Sequence, residues 1–148
     1  MISQRELNLL LVKVGAVHKR RSAYEFMRQE LTAGQPRMLN YLFEHNGSIQ
    51  REIADACHLE PASVTSVLNS MEKSGLVEKK PARGDKRALE VWLTPKGLSK
   101  KQDVDAIFTA MADECFKGFH DEEKQLAASF LARMLNNMLS GKQQKWQP

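Results

Sequence analysis

The sequence predicts a mainly α-helical fold that carries one small β-hairpin. Apolar residues recur at helical spacing over most of the 148 residues. Residues 89–94 instead alternate apolar and polar side chains with a period of two, which is typical of a strand. They follow two short helical segments that are separated by a three-residue connector. Helix, connector, helix and hairpin in this order predict a winged helix-turn-helix between Arg51 and Thr94.

The two helices of this motif are marked by apolar stripes and by their end residues. The first is predicted over residues 51–57 and the second over residues 61–74. Pro61 suits the first turn of a helix, because its missing N–H has no intrahelical partner there. Gly75 is the residue type that a helix C-cap favours. The side chains predicted to face the core are Ile53, Ala54 and Cys57 in the first helix, and Val64, Val67, Leu68 and Met71 in the second.

The opposite face of the second helix carries small polar side chains and one cation. A helix that enters the major groove of DNA needs such a face, because it must approach base edges and phosphates closely. Any solvated helix face is also polar, so this face alone leaves a purely structural role open. Its candidate DNA-binding residues are Ser63, Thr65, Ser66, Asn69 and Lys73.

The predicted hairpin, or wing, adds a basic loop. Strands are predicted over residues 76–80 and 89–94, with apolar side chains at 89, 91 and 93 facing inward and loop 81–88 between them. A basic tip suits DNA phosphates, or an arginine laid in a narrow minor groove. A charged hairpin can also serve only to protect a sheet edge. The wing places five cations within nine residues, against one carboxylate, Asp85: Lys79, Lys80, Arg83, Lys86 and Arg87.

Residues from about 32 to 97 resemble the MarR family of bacterial transcriptional regulators. The most specific part of the resemblance is an Asp-x-Arg wing followed by Leu-Thr-x-x-Gly. The matching pieces are Leu31-Thr32 with Gln35 and Leu39, Arg51-Glu52-Ile53-Ala54, Val64-Thr65, Met71-Glu72-Lys73-Ser74-Gly75-Leu76-Val77, Asp85-Lys86-Arg87-Ala88 and Leu93-Thr94-Pro95-Lys96-Gly97.

The resemblance implies roles for individual residues. Arg87 would reach the minor groove and Asp85 would hold its guanidinium, while Thr65, Ser66 and Asn69 would lie in the major groove. The sequence departs from the family pattern in two places. Many relatives carry arginine at the position of Ser66, and many carry a serine or aspartate cap at the position of Glu60, which is a poorer N-cap than either.

Helices are predicted on both sides of the motif. Residues 4–30 read as one long helix with a break near Arg21-Ser22. Thr32-Ala33-Gly34-Gln35 fits a capping box that starts the next helix, and residues 48–50 suit a short third strand. Thr94 and Pro95 begin a helix of about two dozen residues that Gly118 ends, since its apolar pattern continues to Cys115.

The last helix, with Asp121 predicted as its cap, carries two adjacent apolar rows. A band of that width needs two covering surfaces, and we expect one of them to be a second protomer. A wide band in a monomer core is the alternative. The domain prediction is thus a single MarR-like domain over residues 1–148, with a winged helix-turn-helix at 32–97 and a helical dimerisation region at 1–30 and 98–148. The rows are Leu126, Phe130, Met134 and Met138, and Leu131, Leu135 and Leu139.

Composition excludes several classes of protein. The formal net charge of +4 agrees with nucleic-acid binding. The longest aliphatic run, Leu9–Val12, is too short for a membrane span or a signal peptide. Two distant cysteines do not make a disulfide framework, so a cytoplasmic location is expected. The four histidines show no metal-binding spacing, and no catalytic motif stands out, so we expect no metal, no cofactor and no enzymatic activity.

These observations predict a homodimer that binds a palindromic operator in double-stranded DNA and represses transcription. The resemblance adds a possible small aromatic or phenolic effector, whose binding residues the sequence does not indicate. Two alternatives stay open. One is a redox-responsive regulator acting through Cys57, although Cys57 and Cys115 both lie on predicted inward stripes. The other is a winged helix that binds protein rather than DNA.

Overall fold

The structure, a computed structural model, describes residues 1–140. These residues are mostly helical with one small antiparallel sheet, which confirms the predicted fold class. They fall in two compact units, Met1–Met111 and a second that begins at Ala112. Part of the predicted dimerisation region, residues 141–148, lies outside the described residues. The elements are α1 (Gln4–Arg28), α2 (Gln35–Glu44), β1 (Ser48–Ile49), α3 (Gln50–Cys57), α4 (Pro61–Lys73), β2 (Val77–Ala82), β3 (Asp85–Leu93), α5 (Pro95–Cys115) and α6 (Asp121–Ser140).

The core of the first unit lies between α2, the two motif helices and the wing sheet. Each element contributes apolar residues from one face, as its sequence period requires. The predicted inward stripes of α3 and α4 are confirmed, although Val67 is only partly buried. The largest fully buried side chains are Met38, Leu39, Leu42, Ile53, Leu68, Met71, Val64, Val91 and Val104.

The ends of α4 follow from backbone chemistry. Pro61 is its first residue, and Glu60 makes no side-chain capping bond, in keeping with its poor capping chemistry. At the other end, Gly75 has a φ of +74°. The Gly75 N–H donates to the Glu72 carbonyl at 3.0 Å, and the Leu76 N–H donates to the Met71 carbonyl at 2.8 Å. This Schellman motif turns the chain directly into β2.

The wing is a longer hairpin than the sequence indicated. The three-stranded sheet has the order β1-β3-β2, and Ser48 pairs with Val91, so the predicted third strand is confirmed. The predicted loop 81–88 is wrong, because β2 continues to Ala82, which pairs with Asp85 across a turn. The pairing shifts register between Pro81 and Ala82, so this end of the hairpin is irregular. Leu89, expected to face inward, is 41% exposed, because this part of the hairpin extends beyond the core.

Two predictions on helix ends in the first unit are wrong. The predicted break near Arg21-Ser22 is absent, since the Ser22 hydroxyl donates to the Lys19 carbonyl at 3.1 Å and is accommodated within α1. The capping box that was expected to start α2 at Thr32 is only half formed. The Thr32 N–H donates to the Gln35 side-chain oxygen at 3.0 Å, but Gly34 takes a φ of +87° and delays the helix to Gln35.

The second unit contains the end of α5 and the whole of α6. Cys115, predicted to face inward, is exposed, as are residues 112–114 before it, so that prediction is wrong. Asp121 is the first helical residue rather than the cap. Every large apolar residue in both predicted rows of α6 is exposed in the described chain. Within residues 1–140, no helix is long and apolar enough to cross a membrane.

Candidate nucleic-acid interface

The outward face of α4 is polar and open to solvent. It lies opposite Val64, Leu68 and Met71, which anchor the helix on the core. Because these anchors recur at i, i+4 and i+7, the positions on the opposite side of the helix point away from the protein. All five candidate residues of this helix are exposed: Ser63, Thr65, Ser66, Asn69 and Lys73.

The hydroxyl of Thr65 is already engaged within the protein. It donates to the carbonyl of Pro61 at 3.0 Å and accepts a hydrogen bond from the side-chain amide of Gln50 at 3.0 Å. Its only proton is therefore used, and its methyl group is the part that stays unpaired. Gln50, the first residue of α3, was not predicted as part of the site, and no feature of the sequence pairs it with Thr65.

Asn69 is bound to the wing. Lys79 donates to its side-chain oxygen Oδ1 at 2.6 Å, and the same ammonium lies 3.2 Å from the carboxylate of Glu72. The Lys79 side chain is only 11% exposed. Lys79 was counted among the wing cations, but here it joins β2 to α4 rather than extending toward solvent. The sequence does not reveal this contact, because it depends on how β2 lies across the helix.

The tip of the wing carries three exposed cations: Arg83, Lys86 and Arg87. Within residues 1–140, their side chains make no ion pair or hydrogen bond. Asp85 accepts a hydrogen bond from the backbone N–H of Arg87 at 2.9 Å, in the manner of an Asx turn. The expected contact of Asp85 with the Arg87 guanidinium is therefore replaced by one that fixes the backbone of the tip.

The base of the wing is joined to α5 by the Leu-Thr-x-x-Gly segment. Thr94 caps α5, since its hydroxyl oxygen accepts from the Gly97 N–H at 3.1 Å, and this confirms the predicted cap. The same hydroxyl donates to the carbonyl of Gly75 at 2.5 Å, and Lys96 donates to that of Ser74 at 2.8 Å. These bonds connect the end of α4, the wing and α5, so the polar helix face and the basic tip have a common support.

Comparison with known proteins agrees with this geometry. Residues 29–88 match the sequence profile of the MarR family. The HTH-type transcriptional regulator YybA of Bacillus subtilis (strain 168) is 25% identical over 117 residues, which are 79% of this chain and 78% of that protein. Over these residues the chain is similar to the MarR family, in agreement with the predicted resemblance. Members of this family are transcriptional regulators, so the prediction of a regulator rather than an enzyme is confirmed.

Solved MarR-family structures share the fold. The MarR protein from Peptoclostridium difficile has a TM-score of 0.79 and 25% identity, and the match covers 93% of this chain and 90% of that one. A DNA complex of S. aureus MepR has a TM-score of 0.78 and 22% identity, covering 89% and 97% of the two chains. The expected winged-helix architecture of the MarR family is therefore confirmed.

Cys57, the last residue of α3, is buried within the winged helix-turn-helix. Only 3% of the residue is exposed, and the guanidinium of Arg37 donates to its carbonyl at 2.9 Å. Burial raises the pKa of the Cys57 thiol, and the positive charge of Arg37 offsets that shift only in part. The thiolate, which is the reactive form, is therefore disfavoured at neutral pH. In the described part of the chain, no three His, Cys, Asp or Glu side chains are grouped to hold a metal ion.

Proposed function

We propose that this chain binds a palindromic operator in double-stranded DNA as a homodimer and acts as a repressor. The observation that carries the proposal is the exposed polar face of α4 beside a wing tip whose three cations have no partner within residues 1–140. Small polar side chains suit the major groove, and unpaired guanidinium and ammonium groups suit phosphates or a narrow minor groove. The DNA complex of the structurally similar MepR supports this use of the fold.

The proposed site comprises the predicted residues of α4 and of the wing. On α4 they would read base edges, while the wing cations would contribute most of the affinity through phosphate contacts. Asp85 acts indirectly in this proposal, by fixing the backbone that carries Arg87. The site residues are Ser63, Thr65, Ser66, Asn69, Lys73, Arg83, Asp85, Lys86 and Arg87.

The homodimer is supported by apolar faces that the chain leaves exposed. In α1, exposed apolar residues recur at helical spacing, and in α6 they make the two rows described above. Monomeric soluble proteins rarely expose large continuous apolar patches, so a second copy is the occupant that we propose. A twofold dimer would present two copies of α4 to half-sites about one helical turn apart. The α1 residues are Leu7, Leu10, Leu11, Val14 and Val17.

A small effector is the further part of the proposal. In the first unit, a cleft of about 300 Å³ is lined by Arg20, Arg21, Tyr24, Glu25 and Met111. The ring of Tyr24 and the guanidinium of Arg20 suit a small aromatic anion. Such a ligand would shift the operator-binding equilibrium only if it bound one dimer geometry more tightly than the other.

The alternatives receive less support. A redox role for Cys57 requires an accessible thiolate, and this thiol is buried with a raised pKa. A wing used only for protein contact offers no reason for unpaired cations at its tip. A direct test of DNA binding distinguishes a wing that binds protein from the DNA-binding wing that we propose.

The experiment is a fluorescence anisotropy titration of the full chain against the DNA upstream of its own gene, at two salt concentrations. We expect the wild-type protein to bind tightly and in a salt-sensitive manner. Arg87→Ala should make the slope of log K against log salt less negative by about 0.9, the value for one phosphate contact. Arg133→Ala, on the exposed surface of α6, is the charge-matched control and should keep the wild-type slope. No binding to this DNA or to a random-sequence library would overturn the proposal and favour protein contact.

A further inference from the structure

We propose that Lys79 restricts what Asn69 can recognise, so that Asn69 acts as a hydrogen-bond donor to the operator and favours guanine over adenine. This inference rests on the proposed operator binding and specifies the chemistry of one position within it. Asn69 is then the residue that touches the base, and Lys79 is a positioning residue that acts through it.

The geometry of the contact determines which end of the amide is engaged. The Lys79 ammonium lies 2.6 Å from Oδ1 of Asn69. An ammonium has three donors and no acceptor, so only the oxygen of the amide can face it. The opposite assignment would place N–H groups of Asn69 against N–H groups of Lys79. The amide orientation therefore follows from chemistry and leaves the Nδ2 group for the DNA.

The ammonium is held in place from a second side. Glu72, one turn below Asn69 on α4, places its carboxylate 3.2 Å from the same Lys79 nitrogen. Only 11% of the Lys79 side chain is exposed, so it does not extend toward the phosphates as the wing-tip cations do. The contact between Lys79 and Asn69 is thus part of a small network on the surface of α4, present before any DNA is bound.

This arrangement conflicts with the usual asparagine contact to adenine. In that contact the amide oxygen accepts from the adenine amino group while its nitrogen donates to N7. Here the oxygen already accepts from Lys79. An adenine amino group on its remaining lone pair would bring N–H donors close to the donors of the ammonium. Adenine can then receive at most a single hydrogen bond from Asn69.

Guanine presents the complementary edge. Its O6 and N7 are both acceptors in the major groove, and the two N–H groups of Nδ2 are both donors. Thymine offers one acceptor, O4, and cytosine offers only a donor. The structure therefore assigns Asn69 a preference for guanine over adenine and thymine, each of which can accept one hydrogen bond from Nδ2, and disfavours cytosine.

The test begins with selection of operator sequences from a randomised DNA library by the full wild-type chain and by Asn69→Ala. The base pair whose preference disappears in Asn69→Ala is the one that Asn69 reads. At that position we expect the wild-type protein to bind guanine about tenfold more tightly than adenine. A wild-type preference for adenine there, or no position that responds to Asn69→Ala, would overturn the inference while leaving operator binding intact.

The role of Lys79 is tested with Lys79→Met, which keeps the aliphatic stem and removes the donors. Freed from the ammonium, Asn69 regains both ends of its amide, so the ratio of guanine to adenine affinity should fall to about one or reverse. Lys80→Met is the matched control: Lys80 is the adjacent cation, is exposed and pairs with Glu78 at 2.8 Å. Lys80→Met should change the affinity equally for operators that carry each of the four bases at the position read by Asn69.

The outcomes separate the two proposals. A guanine preference that Lys79→Met leaves unchanged would show that Lys79 does not position Asn69, and would overturn the inference alone. Absence of any sequence-specific binding by the wild-type chain would overturn the proposed function together with it. Since the wild-type preference is itself a prediction, the test does not depend on the stability of Lys79→Met.

Discussion

A Cβ atom on Gly97 would overlap the backbone carbonyl oxygen of Leu76. Gly97 lies in the first turn of α5, and Leu76 follows the turn that ends α4. The two backbones can approach this closely only because residue 97 has no side chain. The glycine of the Leu-Thr-x-x-Gly segment is thus explained by close packing between α5 and the backbone that follows α4, and not by a special backbone angle.

Gly97→Ala should destabilise the fold by about 2 to 3 kcal/mol, because backbone must move to admit the methyl group. Chemical denaturation monitored by circular dichroism measures this. Ser99→Ala, at an exposed position two residues further along the same helix, should change stability by less than about 0.5 kcal/mol. Equal stability of Gly97→Ala and the wild type would contradict the close approach.

Thr94→Val should cost about 1 kcal/mol of stability, since it removes the hydroxyl that caps α5 and donates to Gly75. Valine keeps the shape of threonine, so packing is little changed. Thr94→Ser restores the hydroxyl and should recover most of the loss in the same denaturation experiment. Failure of Thr94→Ser to recover stability relative to Thr94→Val would contradict the contribution assigned to the hydroxyl.

The sequence predicted the architecture because the signals that define it are local. Apolar spacing placed the buried stripe of α4, and Pro61 and Gly75 marked its ends. Where a prediction from the sequence was wrong, a neighbouring group had changed the local preference for helix. Ser22 remained helical by bonding to the Lys19 carbonyl, and Gly34 delayed the start of α2 beyond the predicted box.

The side-chain contacts of the candidate site could not be predicted in this way. Gln50 in α3 contacts Thr65, fifteen residues later in α4, and Lys79 in β2 contacts Asn69 in α4. Both contacts depend on the placement of whole elements, and neither has a spacing that a sequence pattern records. A list of polar residues on α4 therefore identified the face but not which of its atoms are free to contact a base.

The two cysteines should differ strongly in reactivity. Cys57 is buried and Cys115 is exposed, so an aromatic disulfide reagent at neutral pH should modify one thiol per chain rapidly and the other only after unfolding. Cys115→Ser should abolish the rapid phase, while Cys57→Ser should preserve it. Rapid modification of Cys57 in the folded protein would revive the redox alternative.

The buried thiol of Cys57 should make the stability of the fold depend on pH in the alkaline range. Its pKa is raised by burial in the folded chain, so the unfolded chain releases the thiol proton at lower pH. The stabilising contribution is fully present below the pKa of the unfolded thiol and is lost as pH rises from there toward the folded value. Unfolding measured across the alkaline range should show this loss in the wild type and less of it in Cys57→Ser.

Two substitutions at Asp85 should separate its charge from its hydrogen bond. Asp85→Asn keeps a side-chain oxygen for the Arg87 N–H and removes a negative charge near the phosphates, so DNA affinity at low salt should equal or exceed that of the wild type. Asp85→Ala removes the charge and the bond together. It should bind about 2- to 10-fold more weakly than Asp85→Asn, the range expected for one hydrogen bond. Equal affinities of the two variants would show that the turn needs no such support.

Leu131→Asp should convert the proposed dimer to a monomer. Leu131 lies in one apolar row of α6 and is exposed in the single chain, so the aspartate costs little in a monomer. In a dimer interface it would bury an unpaired carboxylate, which is strongly unfavourable. Sedimentation velocity should give twice the chain mass for the wild type and a single chain mass for Leu131→Asp. Ser129→Asp adds the same charge to the opposite face of the helix and should remain dimeric. A wild-type protein that sediments as a monomer would leave the exposed rows of α6 without their proposed partner, and one-chain binding to a half-site would then replace the palindromic operator.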